Sequence, residues 1–213
     1  MTTVILLMAG LGKRLNAGKN KMLVSINNKP LYLYILERFK RYKCDIILVV
    51  SENDFEYFKA LNLGYKLVIG GKCRQESVLH GLKEVQTERV LIHDGARILL
   101  SDRIINECLN NKYDAYFVAT KVVNTIRYDK NNGFKTLNRD ELLSVQTPQG
   151  GKTKLFLEAA LKHEDSLDMF TDDISMLDGV DINVVLGDEK NIKVTTKNDL
   201  MLAKYYLESE GLI

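Results

Sequence analysis

Thr3-Val4-Ile5-Leu6-Leu7-Met8, running straight into Ala9-Gly10-Leu11-Gly12-Lys13-Arg14, is the stretch on which the fold turns. An unbroken apolar, β-rich run without polar alternation suits a strand buried on both faces, the habit of parallel sheets in α/β proteins. The glycine-bearing segment Gly10 to Lys21 then falls at the strand's carboxyl edge, where open α/β sheets bind ligands. Outward from there the pattern alternates. After Pro30, the stretch LYLYILERFKRY places apolar residues at helical spacing. The expectations that follow are a strand at residues 45–50, a helix from Asn53, a strand at 65–69, a helix from Gln75 and a strand at 89–93. Strands separated by helical patterns indicate βαβ units, a mostly parallel sheet and helices on both faces.

Between Tyr113 and Gln146 no helical period intervenes. This region predicts a β-hairpin arm at about 121–146, turning at Asn131–Gly133 and returning through Phe134–Val145. A hairpin alone is marginal in water, so the arm is expected to pack on a second subunit, giving a homodimer. Helical patterns resume at 152–163 and 171–177, followed by a strand at 182–186 and a final helix near 197–210. No repeat, low-complexity tract or linker breaks the chain, so residues 1–213 are expected to form a single domain.

The 213 residues suit one domain able to bury its own core without disulfides or structural metal. Lys plus Arg number 30 against 28 Asp plus Glu, a net +2 that argues against a nucleic-acid coat protein or a polybasic membrane binder. A local basic cluster for phosphate remains possible. An apolar share of 46% and a charged share of 27% exclude disorder. Cys44, Cys73 and Cys108 lie far apart without ligand spacing, as expected of reduced thiols in the cytosol. The apolar run near Met1 is too short for a signal sequence or a membrane span, so a soluble cytoplasmic protein is expected.

Chemistry concentrates in a few segments. Gly10 and Gly12 permit close backbone approach, so successive N–H groups can cradle phosphate oxygens, while Lys13, Arg14, Lys19 and Lys21 add charge. The spacing fits neither GxGxxG nor GxxxxGK[ST], which counts against a dinucleotide dehydrogenase and a P-loop NTPase. A glycine turn beside a solvated basic stretch would read alike. In Gly70-Gly71-Lys72-Cys73-Arg74-Gln75-Glu76-Ser77-Val78, the paired glycines let backbone approach a flat base and Ser77 offers a short donor and acceptor. A turn with a helix-capping serine reads the same way. Ile92-His93-Asp94-Gly95-Ala96-Arg97 closes a buried strand, and a strand-end aspartate suits Mg²⁺. Asp94 and Arg97 could equally form an ion pair, and His93 reads as a satisfied, partly buried histidine. Thr171 could be a helix cap, Lys193 a solvated lysine and the arm an ordinary exposed hairpin.

These segments occur in order with Asn124-Thr125, Gln146-Thr147-Pro148-Gln149, Thr171-Asp172-Asp173 and Asn191-Ile192-Lys193-Val194-Thr195, covering nearly the whole chain. Together they resemble the 2-C-methyl-D-erythritol 4-phosphate cytidylyltransferases of the non-mevalonate isoprenoid pathway. The resemblance implies a Rossmann-like fold of the nucleotide-diphospho-sugar transferase type. It also implies CTP and an alditol phosphate as substrates, with Mg²⁺ or another divalent cation as cofactor. Arg14, Lys21 and Lys193 would be catalytic. Ala9, Gly10, Gly12, Gly71, Arg74, Ser77 and Asp94 would serve the nucleotide, with Asp94 also at the metal. Arg97, Thr125, Arg139, Thr147 and Thr171 would serve the alditol phosphate, the arm residues reaching a neighbour's site.

The related D-ribitol-5-phosphate cytidylyltransferases usually differ in the RQESV and TDD segments. A non-catalytic nucleotide-binding protein is disfavoured by the retention of Lys21, Asp94, Arg97 and Lys193. Three departures stand out. Asn20-Lys21-Met22 replaces Pro-Lys-Gln, implying a less rigid loop; Ile98 replaces a proline; and Asn124 replaces an aspartate on the arm.

Overall fold

The opening apolar run forms β1 (Thr2–Leu7) in a computed structural model that describes residues 1–10, 20–130 and 133–213. Val4, Ile5 and Leu6 are completely buried, each contributing about 1.5–3 kcal/mol relative to exposure. A short ribbon, β2 (Ser25–Ile26) with β3 (Lys29–Pro30), leads into α1 (Leu31–Lys40). Then come β4 (Asp45–Val50), α2 (Glu52–Ala60), β5 (Lys66–Ile69), α3 (Arg74–Leu82) and β6 (Arg89–Asp94). The second part holds α4 (Asp102–Leu109), β7 (Ala115–Lys121), the arm strands β8 (Arg127–Lys130) and β9 (Gly133–Thr136), and β10 (Leu143–Lys152). It closes with α5 (Thr153–Lys162), β11 (Ile182–Leu186) and α6 (Lys197–Ser209).

The main sheet has seven strands in the order β11-β7-β10-β6-β1-β4-β5. Every neighbouring pair is parallel except those made by β10, which runs antiparallel to both β6 and β7. Alternate residues of β1 feed opposite faces. Val4 and Leu6 join α1, α4 and α6 in one core, whereas Ile5 joins α3 and α5 in the other. Helices therefore cover both faces, as the alternating pattern predicts. Among the described residues no helix is long and apolar enough to cross a membrane.

Three expectations change. Helix α4 has no counterpart in the sequence reading; Ser101 caps it by accepting from the Ile104 N–H at 3.4 Å, and Ile104, Ile105 and Cys108 point inward. The arm's return is not one continuous strand from Phe134. It breaks after Thr136, and Arg139 sits in a short 3-10 turn, Arg139–Glu141, where Asn138 caps the Asp140 N–H. The TDD segment opens no α-helix: only a 3-10 turn, Ile174–Met176, forms, with the Asp172 carboxylate accepting from the Ser175 N–H at 3.0 Å. The hairpin itself is present, with Arg127 opposite Thr136 and Lys130 opposite Gly133. Part of its expected turn, Asn131 and Asn132, lies outside the described residues.

Candidate active site

A cleft of about 730 Å³ opens over the carboxyl ends of the parallel strands. It lies where the chain leaves β1 toward β4 on one side while β6 flanks the other, the switch point at which such sheets bind ligands. Ala9 and Gly10 line it from β1, Ser51 and Glu52 from β4, and Gly70 to Arg74 from β5. Ser77, Asp94, Lys21 and Lys193 complete the wall. Thus Ala9, Gly10, Lys21, Gly71, Arg74, Ser77, Asp94 and Lys193 are brought together from distant parts of the chain. Gly12 and Arg14 lie outside the described residues.

Asp94 is the centre of the charged wall. Its Oδ1 accepts from Arg74 Nε at 3.0 Å and its Oδ2 pairs with Lys193 Nζ at 2.6 Å. Burial alone would raise its carboxyl, but the Arg74 and Lys193 charges outweigh burial and hold it well below the usual carboxylate range. Arg74 extends the chain: Nη1 and Nη2 grip the two oxygens of fully buried Asp173 at 2.8 and 2.9 Å. Burial would lower the guanidinium, yet Asp173 and Asp94 push it above its ordinary value. Burial pushes Asp173 itself up, with Arg74 opposing. The two positive and two negative groups make a neutral, hydrogen-bonded array that a low-dielectric wall tolerates.

His93 is more deeply buried than expected, with no exposed surface. Asp94 N–H donates to Thr147 Oγ1 at 3.1 Å, and that hydroxyl lies 3.1 Å from His93 Nδ1. His93 Nε2 lies 3.1 Å from the Arg97 carbonyl, which can only accept, so Nε2 carries a proton, and in the neutral ring Nδ1 accepts from the Thr147 hydroxyl. Burial lowers His93 to about 4, consistent with that state. The histidine is a strut beneath Asp94, satisfied at both ring nitrogens.

The glycine pair earns its place by close approach. A Cβ at Gly70 would lie 2.8 Å from both Ala9 Cβ and Ser77 Oγ, and one at Gly71 only 2.2 Å from Glu76 Cγ. Ser77 Oγ accepts from the Gly71 N–H at 3.0 Å and donates to the Cys73 carbonyl at 3.0 Å. The helix cap is Cys73, whose Sγ accepts from the Glu76 N–H, rather than Ser77. Lys21 reaches over Gly10, its Nζ 3.9 Å from where a Cβ would stand.

The expected acceptor residues are not on this wall. Thr147 is buried under Asp94 with its hydroxyl engaged. Thr171 is exposed beside the Asp172 cap, and Thr125 and Arg139 are exposed on the arm, where Arg139 Nη1 donates to the Val123 carbonyl at 2.9 Å. Arg97 Nη1 donates to the Asn191 carbonyl at 2.6 Å, while its buried Nε has no partner among the described residues. Sequence reasoning assigned no role to Gln149 and Asn191. Gln149 Oε1 accepts from the Asp173 N–H at 2.8 Å, and Asn191 Nδ2 donates to Gln146 Oε1 and the Thr147 carbonyl. These buried amides tie the segments bearing Asp173 and Lys193 to β10. Their positions inside QTPQ and NIKVT were visible, but their partners were not.

The chain matches the family described as 2-C-methyl-D-erythritol 4-phosphate cytidylyltransferase over residues 2–209. It is similar to the 2-C-methyl-D-erythritol 4-phosphate cytidylyltransferase of Bacillus cytotoxicus, 39% identical over 97% of this chain and 98% of that protein. Among solved structures it resembles 4-diphosphocytidyl-2C-methyl-D-erythritol synthase of Anaerococcus prevotii, with 30% identity and a TM-score of 0.83 over 98% of this chain and 96% of that one. It also resembles the bifunctional IspDF of Campylobacter jejuni, with 32% identity and a TM-score of 0.81 over 94% of this chain, spanning 53% of that longer one.

Proposed function

The chain belongs to the 2-C-methyl-D-erythritol 4-phosphate cytidylyltransferase family and is a nucleotidyltransferase of isoprenoid biosynthesis; on that premise we propose how its cleft works. An oxygen of the 4-phosphate of 2-C-methyl-D-erythritol 4-phosphate attacks the α-phosphorus of CTP. A new P–O–P bond forms, the bond from the α-phosphorus to the bridging oxygen breaks, and pyrophosphate leaves with that oxygen. The products are 4-diphosphocytidyl-2-C-methyl-D-erythritol and pyrophosphate. The nucleophile is already an anion, so no general base is required and catalysis rests on positioning and charge.

The observation that carries this reading is the pairing of Asp94 with Arg74 and Lys193, facing Lys21 across one cleft. Lys21, Lys193 and Arg14 stabilise charge on the equatorial oxygens and on departing pyrophosphate. Ala9, Gly10 and Gly12 bring backbone to the phosphates. Gly71, Ser77 and Arg74 form the wall for the cytosine and its sugar.

The donor set fits a divalent cation in a limited way. Asp94 is a hard, ionised carboxylate at the cleft floor, and among the described residues no cluster of three or more His, Cys, Asp or Glu surrounds it. One protein carboxylate plus substrate phosphates is the usual arrangement for Mg²⁺. When bound, Mg²⁺ neutralises phosphate oxygens and fixes the triphosphate's shape.

The acceptor half is shared between two copies. Thr125 and Arg139 stand outside the cleft of their own chain on an arm that exposes Val123 (66%) and Phe134 (70%), which supports a homodimer whose arms reach across. Arg97, Thr147 and Thr171 then shape the acceptor side, and the enzyme works in the cytoplasm. The deciding assay supplies CTP and Mg²⁺ with 2-C-methyl-D-erythritol 4-phosphate or D-ribitol 5-phosphate and follows pyrophosphate release. Turnover is expected with the first alone; preferential turnover of ribitol phosphate overturns the substrate assignment.

A further inference from the structure

The residue beside Lys21 is a departure that the mechanism leaves unexplained. Asn20 is only 6% exposed, and its side chain is fully committed. Nδ2 donates to the Met8 carbonyl at 3.1 Å and to Asp54 Oδ2 at 2.7 Å, while Oδ1 accepts from the Met22 N–H at 2.9 Å. Asp54 lies in the first turn of α2, and the Ser51 hydroxyl donates to the same Oδ2. On the other side of Lys21, Met22 is completely buried and its Cε would meet a Cβ at Gly95 at 3.1 Å. The backbone then closes a 3-10 turn, Lys21–Leu23, in which the Leu23 N–H donates to the Asn20 carbonyl at 3.0 Å.

We propose that Asn20 and Asp54 form a latch that positions Lys21 for catalysis, joining the end of β1 to the start of α2 across the mouth of the cleft. The inference rests on the assignment of Lys21 as a charge-stabilising residue. A lysine carries a flexible stem, so its ammonium is useful to a transition state only if its backbone is fixed. Here both neighbours are fixed, one by hydrogen bonds and one by core packing. The Asn20 backbone, φ −53 and ψ 129, is in the range a proline would impose. The side-chain bonds therefore hold by contact what a pyrrolidine ring would hold covalently, and the loosening expected from the replacement of proline is offset at this end of the loop. Asn20 and Asp54 are positioning residues, acting through Lys21.

The test measures pyrophosphate release, melting temperature and amide hydrogen exchange on the full-length protein. Asn20→Ala and Asp54→Ala should each lower kcat about tenfold with less than about a threefold change in KM for CTP, the scale of one lost buried hydrogen bond. Asp54→Asn keeps an acceptor oxygen and should recover to within about threefold of the parent. The double variant should be no slower than the worse single one, because the two side chains act as one unit. Exchange at the Met22 amide should quicken in Asn20→Ala by more than the accompanying fall in melting temperature accounts for. If Lys21→Ala collapses turnover but both alanine variants keep full kcat, the latch is refuted. Equal loss in Asp54→Asn and Asp54→Ala also refutes it, since the shared acceptor would then be irrelevant. If Lys21→Ala leaves turnover intact, the assignment of Lys21 fails and with it the catalytic role of the latch. The Met22 exchange rate then separately decides whether the latch orders the turn.

Discussion

The wall around Asp94 and the arm beyond Lys121 are built on opposite principles. The wall is internal to one chain: Arg74, Asp94, Asp173 and Lys193 satisfy one another, and buried His93, Gln149 and Asn191 brace them from beneath. The arm exposes its apolar residues, Tyr128 at 49% and Phe134 at 70%, and its Arg139 donates to the Val123 backbone carbonyl. The contrast teaches that the cleft wall is preorganised within one chain, whereas the arm, the acceptor half of the proposal above, leaves its surface uncovered. Preorganised charge is what electrostatic catalysis requires.

The wall breaks most severely at Arg74. Arg74→Ala strands Asp173 with no cation in a fully buried position and should cost about 3–5 kcal/mol of stability, read from denaturant unfolding. A loss under about 1 kcal/mol would show that the array is ornamental to the fold. Lys21→Ala tests chemistry without touching that array. It should reduce kcat on the order of a hundred- to a thousandfold with little change in KM for CTP, measured in steady-state turnover. A parallel rise in KM at constant kcat would make Lys21 a binding residue only.

His93 sharpens the contrast through pH. Its folded-state value of about 4 lies below the ordinary 6.5, so as pH falls the unfolded chain takes the proton first. Stability is therefore fullest above pH 6.5 and declines through the window down to about 4, by up to about 3 kcal/mol. His93→Gln should flatten that part of the profile by one proton in chemical denaturation at stepped pH. An unchanged slope would mean that the ring is not the titrating strut. The arm gives the smallest effect. Arg139→Ala should raise KM for the alditol phosphate about tenfold without moving the melting temperature, the cost of one charged hydrogen bond. If the proposed dimer shares its sites, mixing that variant with Lys21→Ala should restore some activity, because each mixed dimer would regain one complete site. Failure to complement would confine the arm to its own chain.

The sheet was legible because β1, β4 and β6 announce themselves locally: each is a short apolar run buried on both faces. Helix α4 was not legible. It follows Ile98, Leu99 and Leu100, buried without being in a helix or strand, and that apolar lead-in blurs the period of Ile104, Ile105 and Cys108. The cleft residues that were recognised carry glycines or charges in compact motifs. What was missed are the pairings made across the chain. Arg74 and Asp173 are 99 positions apart, and Asn191 reaches Gln146 across 45, separations that no spacing rule encodes. Two departures from the family pattern also become ordinary once placed: Met22 and Ile98 are both fully buried core residues, so they alter packing rather than chemistry.

The placement of β10 has a consequence for synthesis. Strands β1, β4, β5 and β6 all lie within the first 94 residues and pair with one another in parallel. The parallel strand pairings of that half are complete within its own stretch of chain. Its outer strand, β6, must then wait for β10, which arrives only after the arm has been made and inserts between β6 and β7. Until then the nascent chain carries an open, apolar strand edge, the kind of surface on which unfinished chains adhere to one another. The arm thus separates β6 in synthesis from the strand that closes its edge.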